Sequence, residues 1–327
     1  MHRLSFLFLV FVLFSAKFAF GQQENKPSFF EPSDTLNKKR LFTVAVVGAT
    51  TYTASMITLN QFWYKDFKKE PFHTFNDWGE WENMDKYGHA YSAYIQSELF
   101  FHTIRWTGLS RKKSALTAFA FSTLAQTSIE YLDGHSSGWG WSWYDIAYNT
   151  GGSLLFCSQE FLWGEQKVKM KLSYTPIKYS STPIVKNGVT SSIKDRAEES
   201  FGKGFAERLI KDYNAQTIWL SMNLKSIIAP NAGKFPAWLN LAVGYGVQDM
   251  LGAYGNGWRR NNVVFTPGED YNRYKQLYIS FDIDLEKLPI RNKVLRGVFK
   301  VLNIIKIPSP TMEFNTRGEQ VFHFLYF

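Results

Sequence analysis

The apolar positions along the chain follow two patterns, which change over near residue 165. Ahead of that point, stretches poor in charge read as helices at 41–64, 86–109, 113–132 and 143–162. The first carries no charge, and the third is uncharged from Ser114 to Ile129 and stops at Asp133-Gly134. The fourth follows Ser142, with Asp145 three residues on, the spacing of a capping box. Four such segments with short links predict a bundle, and their recurrent Ala, Ser, Thr and Gly permit close packing. Beyond residue 165, Val168, Met170, Leu172 and Tyr174 alternate with Lys167, Lys169, Lys171 and Ser173. The alternation returns over 218–224 and 239–247. It is clearest where Leu277, Ile279, Phe281, Ile283 and Leu285 are opposed by Gln276, Tyr278, Ser280, Asp282 and Asp284. Residues 311–327 read as a hairpin turning at Arg317-Gly318. A strand with one polar face cannot stand alone, so these strands predict an antiparallel sheet packed on something.

Two helices interrupt the strands. The first, 192–213, starts at a Ser192 cap and gathers Phe201, Phe205 and Leu209 on one side. The second, 291–304, gathers Val294, Leu295, Val298, Phe299 and Leu302, with Arg291, Lys293, Arg296 and Lys300 elsewhere. It reads as a helix covering the sheet or as a basic helix lying on a membrane. The fold class is therefore α+β: an N-terminal four-helix bundle, then an antiparallel β-sheet or partial barrel with two covering helices. The aromatic last strand ending in Phe327 is how outer-membrane barrels often close. The strand count is about six, however, against about eight for the smallest closed membrane barrels.

The start of the chain reads as a secretory signal peptide over residues 1–21. His2 and Arg3 precede an apolar core at 4–14, and Ala19-Phe20-Gly21 places cleavage before Gln22. A polar linker follows at 22–40, then the helical bundle at 41–165 and the β-rich region with its two helices at 166–327. No cysteine lies near the cleavage point, so a lipid anchor through cysteine is not expected. Cys157 is the only cysteine, so no intrachain disulfide forms and stability must come from burial. The net charge is +9, with Arg3 and Lys17 in the leader. In an exported protein that excess reads as affinity for a membrane surface or other anionic envelope component. No Lys/Arg run is dense enough for nucleic acid.

Standard catalytic and nucleotide-binding motifs are absent. What remains is a set of polar groups on otherwise apolar helices. Asp85 and His89 sit four apart, as do Gln126 and Glu130, with Asp133 following, and so do Asp145 and Asn149. Ionisable groups on apolar helices are costly to bury unless paired or used. His89, Glu130 and Asp145 could hold a divalent metal, or His89 could act as a general base beside a carboxylate. Equally, Asp85 and Asp145 could be helix caps, with His89 and Glu130 a satisfied buried pair. No residue is assigned a catalytic role, and no cofactor is indicated apart from that divalent metal.

The order Asp85-Lys86-x-x-His89, Glu130 near a helix end, then Ser142-x-x-Asp145-x-x-x-Asn149-x-x-Gly152 resembles the YfiM-like family of uncharacterised bacterial envelope proteins. More distantly it resembles VanZ-like membrane proteins. The likeness covers residues 80–165. The later part, including FPAWLNLAVGYGVQDMLGAYGNG and the FHFLYF ending, resembles long family members from Bacteroidetes-type bacteria. The resemblance implies a Gram-negative envelope address, periplasm or outer membrane, and marks Asp85, His89, Glu130, Asp145 and Asn149 without giving them a task. Some relatives are predicted lipoproteins, from which this chain departs by lacking the lipidated cysteine. The expected function is that of an exported, membrane-associated structural or binding component. The alternative is an envelope enzyme acting on lipid or cell-wall material through a polar or metal site in the bundle.

Overall fold

The computed structural model describes residues 31–327 apart from 63, 65, 66, 229 and 232; the expected signal peptide and the start of the linker lie outside the described residues. The charge-poor stretches form α1 (Lys38–Phe62), α2 (Met84–Trp106), α3 (Arg111–Asp133) and α4 (Trp143–Leu162). Ser142 caps α4 as its spacing predicts, its Oγ accepting from the Asp145 N–H at 3.0 Å. Only α2, α3 and α4 pack closely. None of the described side chains of α1 is buried. Its residues 38–61 contain a stretch of mean hydropathy 1.4, long and apolar enough to cross a membrane. Beyond Arg40, α1 carries no charge, though Thr, Ser and Asn recur along it. It lies on the bundle through contacts such as Tyr52 Oη to Ser128 Oγ at 2.6 Å.

The seam of the three packed helices is made of small and polar residues. Helix α3 buries Ser114, Ala118, Ser122, Gln126 and Glu130, one per turn. Helix α4 presents Asp145, Asn149, Gly152, Ser153 and Phe156 to it, and α2 presents Ala90, Ala93, Ser97 and Phe101. The backbones approach closely: a Cβ on Gly152 would lie 2.0 Å from the Ala90 carbonyl oxygen. Ser122 Oγ donates to the Ala93 carbonyl at 3.0 Å and lies 2.9 Å from Ser153 Oγ. Beyond Phe101 and Phe156, many large apolar side chains point away, with Leu116, Phe121, Leu124, Leu154 and Leu162 between 48% and 68% exposed. Small residues inside and large apolar ones outside is the arrangement of helices that pack in lipid.

The second half contains β1 (Val168–Tyr174), the hairpin β2 (Ile184–Lys186) and β3 (Val189–Ser191), β4 (Gln216–Asn223), β5 (Leu239–Gln248), the hairpin β6 (Trp258–Arg260) and β7 (Val263–Phe265), β8 (Tyr274–Ile283), β9 (Ser309–Asn315) and β10 (Gln320–Tyr326). Six of them form one antiparallel sheet in the order β1-β4-β5-β8-β9-β10. The sheet curls until residues 304–306 bridge back to β1. The Leu172 N–H donates to the Ile304 carbonyl and the Lys306 N–H to the Leu172 carbonyl, both at 3.0 Å. The result is a partial barrel, and the molecule is α+β as the two sequence patterns predict.

The faces of the sheet are reversed relative to a soluble protein. One cross-strand row runs Lys171, Trp219, Gly244, Tyr278, Glu313. The next inward row runs Lys169, Ser221, Ala242, Ser280, Thr311. Both rows are buried. Between them, facing out, runs Met170, Leu220, Val243, Ile279, Met312, Phe322. Part of this outer face packs on α2, where Met170 and Ile218 join Tyr94 and Phe156 in the core between the halves. The rest is bare: Leu220, Leu277, Ile279, Phe281 and Phe322 are 41–61% exposed.

The polar interior is tolerated because its charges are paired and hydrogen-bonded. Lys171 Nζ lies 2.7 Å from Asp282 Oδ2, both fully buried. Ser221 Oγ donates to the same carboxylate at 2.6 Å, and the Ile307 N–H donates to its other oxygen at 3.0 Å. Asn240 Nδ2 donates to Ser221 Oγ, and Asn223 Nδ2 to Asn240 Oδ1. Trp219 fills the centre: its Nε1 donates to Ser173 Oγ, and Gly244 leaves the space its ring occupies. Lys306 stands 4.6 Å from the Trp219 ring centre, and burial pushes its ammonium down to about 8.

The predicted helix at 192–213 is two helices, α5 (Ile193–Phe201) and α6 (Phe205–Lys211), broken at Gly202, whose φ is +84°. Ser192 caps the first as expected, and Ala197 and Phe201 pack on Leu251, Trp258 and Phe265. A short helix, α7 (Leu224–Ile228), links β4 to β5. Helix α8 (Lys293–Leu302) buries none of its side chains.

Candidate functional site

The start of α2, the end of α3 and the start of α4 meet at one end of the bundle, beneath the aromatic loop that precedes α2. The loop enters α2 through three successive left-handed residues, Trp81, Glu82 and Asn83, with φ of 50°, 53° and 67°. Non-glycine residues hold that conformation only when their surroundings enforce it. Here Asn83 Oδ1 accepts from the Gly79 N–H, the Trp81 N–H donates to the Ala253 carbonyl, and the Trp81 ring packs on Phe201 and Tyr213. The strained turn fixes Asp77 and Glu80 against the first turn of α2.

Five of the six sequence candidates come together. His89 Nδ1 is 3.2 Å from Asn149 Oδ1 and 3.6 Å from Glu130 Oε1. His89 Nε2 is 3.8 Å from Asp85 Oδ1 and 3.7 Å from Asp145 Oδ1. Asn149 Nδ2 donates to Glu130 Oε1 at 3.5 Å. The His89 side chain keeps 22% exposure, while Glu130 is nearly sealed. Asp133 stands at the margin, accepting from the Tyr64 hydroxyl at 2.7 Å. Asp85, His89 and Asp145 offer ligand atoms within 4.8 Å of one another, as do Asp77, Glu80 and Asp85.

The centre of the cluster is a residue absent from the candidate set. Lys86 is fully buried, with its ammonium 2.9 Å from Asp85, 2.6 Å from Asp145 and paired with Asp77. Asp77 also accepts from Ser142 Oγ at 2.6 Å, and Asp85 from the Tyr213 hydroxyl at 2.8 Å. Lys86 therefore occupies the position between three carboxylates where a bound cation would be stabilised. The nearest sequence signal was the Asp85-Lys86 pair itself, which reads as an ordinary exposed pair at a helix start.

The protonation pattern follows from crowding four carboxylates around two cations. Burial opposes the Lys86 ammonium, but Asp85 and Asp145 outweigh it and hold it charged well above the usual lysine range. Burial likewise opposes the His89 imidazolium, but Asp85, Asp145 and Glu130 raise it to about 9. Against burial, His89 and Lys86 keep Asp85 below the usual carboxylate range. Burial pushes Glu130 up to about 8 and Asp145 up to about 7, with His89 opposing in both cases. Near neutral pH the set holds extra protons and approaches charge balance with its own lysine and histidine.

A pH dependence follows with a definite sign. Glu130, Asp145 and His89 all bind protons more tightly folded than unfolded, so each loses its stabilising contribution as pH rises through its folded value. The thermal unfolding midpoint is expected to fall steadily between about pH 6 and pH 9. Glu130→Gln, which mimics the protonated carboxyl, should flatten the fall below about pH 8 and leave the part above it, set by His89, in place. An unchanged slope in the variant would exclude Glu130 as its source.

A separate open groove of about 510 Å³ lies between α1 and α3, lined by Tyr52, Met56, Tyr131, Leu132 and Trp141. It does not contain His89.

Residues 74–157 match a family described as a predicted periplasmic lipoprotein family (DUF2279). No curated protein and no solved structure gives a significant match. The matched stretch holds the whole cluster, from Asp77 to Asn149. It supports an exported protein of the cell envelope, in the periplasm or outer membrane, and the matched family's description names no activity. The lipid in the family description cannot be carried by Cys157, which is buried in α4.

Proposed function

We propose that this protein is a membrane-associated component of the envelope, held in the outer membrane or on its periplasmic face by an apolar exterior common to both halves. The observation that carries this reading is the reversed sheet. Lys171 and Asp282 are sealed inside, while Leu277, Ile279 and Phe281 are open to the surroundings. Water does not favour that arrangement; a lipid phase does. The small-residue seam of the bundle and the length and hydropathy of α1 support the same surroundings. The finer kinship to YfiM-like and VanZ-like proteins, and a division near residue 165, belong to this proposal and are supported by the residue order and the change of pattern. Vesicle flotation tests it. The wild-type chain should float with phosphatidylethanolamine–phosphatidylglycerol vesicles. A lysine or arginine on a lipid-facing strand costs ~2 kcal/mol or more, so Ile279→Arg with Phe281→Arg should weaken vesicle binding at least about tenfold. A wild-type chain that stays unbound would refute the reading.

A second reading has one observation in its favour: Asp85, His89 and Asp145 converge beside a strained turn, with His89 partly open. In that reading the cluster is an acid–base or divalent-metal site acting on lipid or cell-wall material, with His89 as base or ligand. Loss of stability in His89→Ala with no change in bound manganese or zinc would reduce the cluster to a structural device.

A further inference from the structure

We infer that α8 is a membrane anchor that seats one end of the barrel on an anionic lipid leaflet. The inference deepens the membrane reading above and rests on it. By register, the ends of β4 and β8 and the starts of β1, β5 and β9 lie at one end of the barrel. Helices α7 and α8 are attached at that end. Helix α8 is preformed, because Asn292 Oδ1 accepts from the N–H groups of Val294 and Leu295 at 2.9 and 3.1 Å.

Around its axis, Val294, Leu295, Val298, Val301 and Leu302 share one arc, and Lys293, Arg296 and Lys300 lie on the opposite arc. A helix covering a core would turn the first arc inward. Here the helix meets the body through its Lys300 flank. Lys300 lies among Glu286 and Glu98, and the next residue but two, Asn303, donates to Asp284 and Glu286 at 2.9 and 3.1 Å. The five apolar side chains are left 42–67% exposed, pointing away from the protein. Ile227 and Ile228 of α7 are exposed at the same end, where Lys287 Nζ donates to Ser226 Oγ at 2.9 Å. Phe281, the last exposed position of the lipid-facing sheet, lies two residues from it.

Charge selects the kind of lipid. From Lys287 to Met312 the chain has no acidic residue. Lys287 pairs with Glu165, Lys300 faces inward and Lys306 is buried, which leaves Arg291, Lys293 and Arg296 as the exposed cations of a helix whose apolar arc is exposed as well. Among the described residues Lys293 pairs with Glu31, 3.5 Å away and exposed. An exposed apolar arc with cations on the same helix fits the boundary between acyl chains and anionic headgroups.

The test uses the full chain carrying Val298→Cys labelled with an environment-sensitive dye, with dye-treated wild type as the control for buried Cys157. On phosphatidylglycerol vesicles the dye should shift to the blue and brighten severalfold, with a much weaker response on phosphatidylcholine. Lys293→Glu with Arg296→Glu should remove most of the phosphatidylglycerol response. A dye that stays water-exposed while the protein floats with the vesicles would overturn the anchor and leave the membrane reading standing. A protein that does not float would overturn both. Equal responses on the two lipids would overturn the anionic preference.

Discussion

Replacing Lys86 by methionine is expected to destabilise the protein by about 3–5 kcal/mol, among the largest losses from any single side chain in the bundle. The ammonium is fully buried and serves Asp77, Asp85 and Asp145 at once. Methionine keeps most of the volume, so packing changes little and the electrostatic part dominates. Without the lysine, three carboxylates share a pocket in which, among the described residues, His89 is the one remaining cation, and they must take up protons to remain buried. The loss should therefore be larger at pH 8 than at pH 5, where protons are easily supplied. Denaturant unfolding at the two pH values measures both the size and the trend. A loss below about 1 kcal/mol would mean that the carboxylates are solvated and the cluster is not a closed unit.

Much of the molecule is legible in the sequence, and the parts that are not share one cause. The uncharged run from Ser114 to Ile129, the Ser142 and Ser192 caps and the turn at Gly318 give elements close to the observed ones. The i, i+4 spacing puts Asp85 with His89 and Asp145 with Asn149 on shared helix faces, and the packing of the three helices sets these beside Glu130. Asp77 escapes that logic, since it lies in a loop without a period. Lys86 escapes it because a lysine beside an aspartate at a helix start normally faces water. Alternation along the strands defines two faces but does not say which one is inside. A complementary charge pattern was present all the same: Lys169 and Lys171 on β1, two apart, meet Asp284 and Asp282 near the end of β8, also two apart. Opposite charges at matching spacing on two strands are the sequence mark of a polar interior. The single helix read at 192–213 fails at Gly202-Lys203-Gly204, where two glycines outweigh the apolar period around them.

Phe281 and Asp282 are neighbours on β8 and face opposite ways, so exchanging the usual consequences of mutation between them is a direct expectation of the reversed sheet. Asp282 is fully buried. It holds Lys171 at 2.7 Å, the Ser221 hydroxyl at 2.6 Å and the Ile307 N–H at 3.0 Å. Asp282→Ala leaves a buried ammonium and a buried N–H without their acceptor, beside a second buried ammonium on Lys306. It should cost about 3–5 kcal/mol. Phe281 is 53% exposed and is flanked on the same face by Ile279 and Ile283, with Leu241 across the strand. Phe281→Glu removes no buried contact of the interior and should change stability by no more than about 0.5–1 kcal/mol away from lipid. In a sheet with an ordinary apolar core the order would be the reverse. The deciding measurement is a pair of denaturant unfolding curves for these two variants under one lipid-free condition. The midpoint is expected far below wild type for Asp282→Ala and close to wild type for Phe281→Glu. A collapse of Phe281→Glu beside an unperturbed Asp282→Ala would contradict the reversed sheet.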